Sequence, residues 1–396
     1  MSSIPLTAPG DDSGGAHRDL AHAAHARGDL AAAIAAQTES LARLEKAGQL
    51  TAEDMLFLAL LHFQANSTAQ SLAVIDHALA LFPAAAPLHE NRGVLLMTMG
   101  NPGGAIDACL LALKHGGGSP NIHDCLADAS GRIGRMDEAV RHGRNALEAK
   151  DRMFCTAPPA RITMPSIPAG PFNPHTPSEN IIAYTLWGNS QRYVIPLMEN
   201  LRLIAHLFPG WTARIYLDET VPTIVQEEFG KLGAQVVKMV LPHSVPGHRR
   251  LLWRFSVISD PAVRRFLVRD ADSLLTVKER VAVDAWLASG YHFHVMRDFY
   301  THTDLMLAGM WGGVGGLLPD PDTLMAHFRG WRAEGNHVDQ DLLSEMIWPS
   351  IKHHCLIHDS VFTGCLGSVS FPPYGELPPG HHIGENAYMR LMAEQT

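Results

Sequence analysis

Phe266-Leu267-Val268-Arg269-Asp270-Ala271-Asp272-Ser273 decides how this chain is read. The apolar run Phe266-Leu267-Val268 has the look of a short buried strand, and two carboxylates one residue apart follow it. A strand that delivers two Asp side chains to one edge of a sheet supplies hard oxygen ligands. These suit a divalent cation that itself grips a diphosphate. Alone, an Asp-x-Asp pair is a weak signal, because short acidic pairs also occur on solvated turns. Its neighbours in the chain therefore matter.

On the N-terminal side, Ile181-Ile182-Ala183-Tyr184-Thr185-Leu186 reads as a first strand and residues 193–207 as an amphipathic helix. Residues 213–217 make a second strand, 221–232 a helix, 235–240 a third strand and 251–259 a helical stretch. Beyond the Asp pair come a helix over 277–288 and a strand over 292–296. Alternation of this kind predicts an α/β fold with a largely parallel, Rossmann-like sheet covered on both faces. Ligands then belong at the carboxyl ends of its strands.

A different architecture precedes it. Residues 16–150 are rich in Ala and Leu at helical spacing, and they repeat: Ala59, Gly93 and Ala127 stand 34 residues apart, as do Ala78, Ala112 and Ala146. Small residues at such points let paired helices approach closely, and the period resembles the tetratricopeptide repeat. Gly100-Asn101-Pro102 and Gly134-Arg135-Met136-Asp137 fall where the turn within a helix pair belongs, and Phe82-Pro83 ends a second helix. An earlier pair around Gly28-Asp29-Leu30-Ala31 fits with a few extra residues after Lys46. Stacked pairs give an all-α solenoid whose concave face binds a peptide or partner protein. Packing on the rest of the chain, or self-association, is the alternative. Between them, 151–179 is Pro-rich, which stops helices and suits an extended connector. The expected organisation is therefore 16–150 repeats, 151–179 linker and 180–396 α/β domain.

The formal charge of −9 argues against general binding to nucleic acid, which depends on cationic side chains. Neither a signal-peptide pattern nor a transmembrane segment is evident, and a cytoplasmic location is expected. Five cysteines, odd in number and without a C-x-x-C pair, fit free thiols, most simply as small buried apolar residues.

Three further segments follow the Asp pair in order: Leu307-Ala308-Gly309-Met310-Trp311-Gly312-Gly313, Val338-Asp339-Gln340-Asp341-Leu342-Leu343 and Gly380-His381-His382-Ile383-Gly384. With Asp270 and Asp272 they resemble the GT-A class of glycosyltransferases over 180–388. Within that class the likeness is to the retaining family that includes glycogenin and bacterial lipooligosaccharide galactosyltransferases.

The resemblance implies Mn²⁺ or Mg²⁺ held by Asp270, Asp272 and His381, with His382 as the alternative third ligand. It implies that the backbone at Gly309 and Gly312 accepts the donor sugar, where plain turns are the alternative. Asp339 and Gln340 would line the reaction centre, unless Asp339 is only a helix N-cap. Thr185, Leu186 and Trp187 fall where the family holds nucleobase and ribose. In the basic cluster His248-Arg249-Arg250 with Arg254, Arg250 or Arg254 would meet the donor diphosphate, or else the cluster is a solvated helix face. The family's Lys after the H-x-x-G segment is replaced by Glu385-Asn386-Ala387, which puts its phosphate contact in doubt. Arg297 and Asp298 would pair with each other or with sugar hydroxyls, and His302 lies nearby in sequence.

The activity implied is transfer of a glycosyl group from a nucleotide-sugar, a UDP-sugar foremost, to a hydroxyl of a protein or glycan acceptor. The repeat domain would recruit that acceptor or a protein partner. The competing expectations are a repeat scaffold with an inactive GT-A-like domain, and a metal-dependent phosphohydrolase. Walker, G-x-G-x-x-G, G-x-S-x-G and H-E-x-x-H motifs are missing from the sequence.

Overall fold

A computed structural model describes residues 13–158, 162–330 and 337–393. The chain divides into two compact units after His142, within the helix α8 (Met136–Thr156).

The first unit is built from α1 (Ser13–Ala26), α2 (Leu30–Lys46), α3 (Ala52–Gln64), α4 (Thr68–Leu81), α5 (Ala86–Thr98), α6 (Pro102–Lys114), α7 (Pro120–Arg132) and the start of α8. From α1 to α7 consecutive helices pack together, and α5 also meets α7, as repeating helix hairpins require. The starts of α3, α5 and α7 at 52, 86 and 120, and of α4, α6 and α8 at 68, 102 and 136, keep the sequence period. Turn chemistry explains the regularity. Asn66, Gly100 and Gly134 occupy equivalent positions and all have left-handed φ (57°, 74° and 77°), the conformation that closes a helix and that Gly or Asn adopts most readily. Gly93 is buried, and a Cβ there would sit 2.5 Å from the Sγ of Cys109 on α6, which is why a residue without a side chain stands at this close helix approach. The extra length of the first repeat, expected after Lys46, lies instead mostly within α2, which has 17 residues and ends at Lys46, against 14 in α4.

In the second unit a seven-stranded sheet has the order β3-β2-β1-β4-β6-β5-β7. Its strands are β1 (Asn180–Leu186), β2 (Thr212–Leu217), β3 (Gln235–Lys238), β4 (Arg265–Arg269), β5 (Phe293–Arg297), β6 (Met310–Val314) and β7 (Cys355–Asp359). All neighbours are parallel except β6, which runs antiparallel to both β4 and β5. β1, β4 and β5 are buried along their whole length, so apolar residues follow one another in β1 and in the middle of β4 rather than alternating, while β5 also buries His294 and Arg297.

Side chains from successive residues feed two cores. Ile182, Tyr184 and Leu267 pack with Leu197, Leu201 and Ile204 of α9 (Gln191–Leu207) and with Val283 and Trp286 of α11 (Val277–Ser289); α10 (Thr223–Lys231) follows β2. Ile181, Ala183, Phe266 and Val268 face the other way. They meet Phe255 and Trp253 of a 3₁₀ segment, Gly247–Ile258, and Leu342 and Trp348 further along the chain. The expected linker 151–179 is narrower than its bounds, since α8 continues to Thr156 and Pro177–Glu179 form a 3₁₀ turn; over 162–176 the chain has no helix or strand and lies against this unit, with Phe172 stacked on Trp211 and Ala169 N donating to Gly290 O (2.8 Å).

All five cysteines are free thiols, three of them buried. Among the described residues no helix is long and apolar enough to cross a membrane.

Candidate active site

Strand β1 pairs with β2 on one side and with β4 on the other, so the chain reverses its direction of travel across the sheet between β1 and β4. A crevice at the carboxyl ends of the strands flanking such a reversal is the usual ligand position in open α/β sheets. Here a cleft of about 470 Å³ opens at that point. Thr185, Leu186 and Trp187 line it from the end of β1, Gly188 to Ser190 and Tyr193 from the turn into α9, Leu251 and Arg254 from the 3₁₀ segment, and Asp270 and Asp272 from the end of β4.

The two aspartates share this cleft, and each is held at one oxygen. Arg254 Nη1 donates to Asp270 Oδ1, while Arg192 Nη2 (3.1 Å) and Asn386 Nδ2 (2.9 Å) donate to Asp272 Oδ2. Among the described residues no side chain donates to Asp270 Oδ2 or Asp272 Oδ1. Burial pushes the Asp272 carboxyl above its ordinary range, and the charge of Asp270 adds to this, against the opposing pull of Arg192.

The chemistry of two such carboxylates fits a cation that fills the rest of its shell with phosphate oxygens and water. It does not make an all-protein cage. No group of three His, Cys, Asp or Glu among the described residues is placed to hold a metal.

The expected third ligand is not brought to the pair. His381 Nδ1 is engaged with Glu385 Oε1 (2.8 Å), which also accepts from Arg390, and His382 stacks on Phe299 with ring centroids 4.1 Å apart. A turn sets this arrangement: His381 N donates to Pro378 O, and Gly380 has φ +86°.

Arg254 organises the floor of the site. It is 2% exposed and bridges Asp270 and Asp339, donating from Nη2 to Asp339 Oδ2 at 2.8 Å and from Nη1 to Arg269 O at 3.1 Å. Its Nε has no partner among the described residues. Burial disfavours the Arg254 charge, but Asp270 and Asp339 more than offset this and raise its pKa. Asp339 is buried at 3% exposure in α13 (Val338–Leu342), after α12 (Pro321–Met325). Burial raises its carboxyl above the ordinary range, opposed by Arg254.

Asp339 is not an N-cap, since His337 holds that position and Asp339 Oδ1 accepts from the adjacent Gln340 N (3.0 Å). With both oxygens occupied inside the protein, Asp339 acts on the cleft through Arg254. Gln340, its half-buried neighbour, has a buried Oε1 with no donor among the described residues.

Gly309 belongs to the site for a steric reason. A Cβ there would overlap the carboxylate of Asp270 and lie 3.0 Å from its amide nitrogen. Gly312 does not reach the cleft. It lies inside β6 opposite Leu267 and His294, and a Cβ would stand 2.6 Å from both Leu267 Cδ2 and Phe266 O, so its small size serves sheet packing.

Arg250 is likewise turned away, with Nε on Asp218 Oδ2 (2.8 Å), although its carbonyl accepts from Thr185 Oγ1 (3.0 Å) and thereby braces the end of β1. Arg297 and Asp298 do not pair with each other. Arg297 forms a fully buried ion pair with Asp359 (2.7 Å), and Asp298 pairs with Lys278 and accepts from Ile383 N. His302 accepts from Asp298 N (2.9 Å), and burial pushes its pKa down to about 3, so it is neutral at physiological pH.

No family model matches the chain, and no curated protein matches it. Among solved structures it is similar to a mutant O-GlcNAc transferase from Thermobaculum terrenum, at 20% identity and a TM-score of 0.39, over 66% of this chain and 46% of the transferase. It is also similar to MamA from Desulfovibrio magneticus RS-1, at 16% identity and a TM-score of 0.32, over 35% of this chain and 76% of that one. A tetratricopeptide repeat protein from Parabacteroides merdae gives 17% identity and a TM-score of 0.33, over 35% of this chain and 54% of its own. At TM-scores this low, these likenesses assign neither fold nor activity.

Sequence reading missed Arg192 and Asn386. A signal for Arg192 was present: it sits in the first turn of α9, where the helix dipole disfavours a cation unless an acid is near. Nothing local marked Asn386.

Proposed function

We propose that the second unit is a metal-dependent glycosyltransferase of the GT-A class. It takes a nucleotide-sugar, a UDP-sugar foremost, and transfers the glycosyl group with retention to a hydroxyl of a protein or glycan acceptor. The helix hairpins of the first unit, read as tetratricopeptide repeats, recruit that acceptor or a protein partner.

One observation carries the reading: Asp270 and Asp272 line a single cleft at the β1–β4 reversal, each with one oxygen held and the other without a side-chain donor. Those two free oxygens are the ones that would hold Mn²⁺ or Mg²⁺. When bound, such a cation neutralises the charge that develops on the diphosphate as its bond to the sugar breaks.

The protein's own groups do the rest. Thr185, Leu186 and Trp187 form the wall for nucleobase and ribose, Arg254 fixes Asp270, and Asp339 fixes Arg254. Gln340, next to Asp339 in α13, keeps its place as the residue nearest the reaction centre on the resemblance alone, since its unpaired Oε1 is buried and does not line the cleft. Gly309 leaves room for the Asp270 carboxylate itself.

The test is release of UDP from a panel of UDP-sugars by the full chain with Mn²⁺. Asp270→Ala combined with Asp272→Ala abolishes it in a folded protein, and EDTA does the same. Turnover that survives EDTA contradicts the metal assignment. A second reading, a repeat scaffold with a nucleotide-binding remnant, is favoured by the pairing of both aspartates with arginines, which offsets part of their charge without a cation. It predicts UDP-sugar binding by calorimetry without any turnover.

A further inference from the structure

We infer that the segment 383–387 positions Asp272 for the cation, with Asn386 as the positioning residue, in place of an imidazole ligand from His381. The inference rests on the cation reading above and adds a residue to it.

Two bonds tie this segment to Asp272. Ala387 N donates to the Asp272 carbonyl (2.8 Å), and Asn386 Nδ2 donates to Oδ2 (2.9 Å). Which end of the amide faces Asp272 is fixed by its other partner: Tyr388 N donates to Asn386 Oδ1 (3.1 Å), so the NH₂ group must point at the carboxylate. Arg192, from α9, donates to the same Oδ2. Both side-chain donors thus load one oxygen and leave Oδ1 as the free one, the geometry that a supporting hydrogen bond imposes on a ligating carboxylate.

The segment is itself anchored, so the contact is more than a chance meeting of exposed chains. Ile383 is 1% exposed and packs with Ala282, Met296 and Met310, and its amide donates to Asp298 Oδ2 (2.8 Å). Gly384 then turns with φ +83° where a Cβ would lie 2.8 Å from Met310 Sδ. Only glycine combines that backbone conformation with that proximity, and the turn delivers Asn386 two residues later.

Calorimetric titration of the full chain with Mn²⁺ in the presence of UDP tests the inference on wild type, Asn386→Ala and Asn386→Asp. Aspartate keeps the acceptor for Tyr388 N and the side-chain shape but removes the NH₂ donor to Asp272. Positioning predicts that both variants bind Mn²⁺ about 10-fold to 100-fold more weakly with unchanged melting temperatures, the size of effect seen when a metal ligand loses its hydrogen-bond partner.

If Asn386 serves only to accept from Tyr388 N, Asn386→Asp binds Mn²⁺ as tightly as wild type while Asn386→Ala alone is impaired, and the inference falls. Tighter binding in Asn386→Asp overturns it too, by making position 386 a ligand site. Wild type that binds no Mn²⁺ removes the cation reading as a whole, an outcome distinct from equal binding by all three proteins, which removes only the role of Asn386.

Discussion

Replacing Gly309 with alanine separates the site from the fold. The backbone at 309 needs no left-handed conformation, so the change adds one methyl group and nothing else. That methyl would occupy space now filled by the Asp270 carboxylate. To restore ordinary contact the carboxylate must retreat by roughly 1 Å or more, and a misplacement of that size in a reacting assembly costs on the order of 100-fold in rate. Retreat is open to Asp270 because its side chain is 40% exposed, and Arg254 keeps its second partner, Asp339.

The stability loss therefore stays within the roughly 1–3 kcal/mol of an overpacked site. Gly312→Ala is the contrast, since its Cβ meets Leu267 and a backbone oxygen inside the sheet, where nothing can swing into solvent. Thermal melting, Mn²⁺ titration and UDP release should show Gly309→Ala folded but impaired by about 100-fold, and Gly312→Ala destabilised or insoluble. Wild-type turnover and cation affinity in Gly309→Ala would refute the placement of the Asp270 carboxylate beside it.

Two further outcomes follow from buried charge. Asp339→Asn leaves Arg254 with a single carboxylate and should cost about 3 kcal/mol of stability, as removal of one partner from a buried ion pair does, while lowering turnover with little change in donor KM. Unchanged urea denaturation of that variant contradicts the Arg254 bridge. The second concerns acid. His294 Nε2 and His358 Nδ1 lie 2.8 Å apart between β5 and β7, and burial pushes His358 down to about 4. A histidine kept neutral by the fold gives its full stability above its unfolded pKa of about 6.5. That stability drains away as pH falls towards 4, because the unfolded chain takes up a proton that the folded one refuses. For His358 this is about 2 kcal/mol between about pH 7.5 and about pH 5. His358→Gln should flatten the fall of the urea midpoint over this range, and an equally steep fall in the variant shows that other groups are responsible.

Much of the second unit was legible because its strands are buried on both faces. Residues 181–186 and 266–268 announce themselves as apolar runs, and the observed β1 and β4 extend them by only a residue or two. The repeats were legible through small residues and turn formers at a fixed interval. Asn66, standing where later repeats have glycine, shows that the signal is conformational and not tied to one residue type.

The site was only partly legible. Asp270, Asp272, Arg254 and Thr185 to Trp187 meet in one cleft because all sit at strand ends or in the segment packed over them. Three features depend on contacts between distant parts of the chain that no local pattern encodes. Asp339 is buried beneath Arg254, 85 residues away. Gly312 falls at a strand crossing fixed by β6 running antiparallel. The turn at Gly384 decides that Asn386, rather than His381, faces Asp272.

Whether Asp270 and Asp272 together anchor a cation against a donor diphosphate is decided by Mn²⁺ titration in the presence of UDP for wild type, Asp270→Asn and Asp272→Asn. Wild type should bind one Mn²⁺ per chain and each variant at least about 100-fold more weakly, with all three folded. Equal Mn²⁺ affinity in the three proteins, or tight UDP binding that ignores Mn²⁺ altogether, contradicts that anchoring.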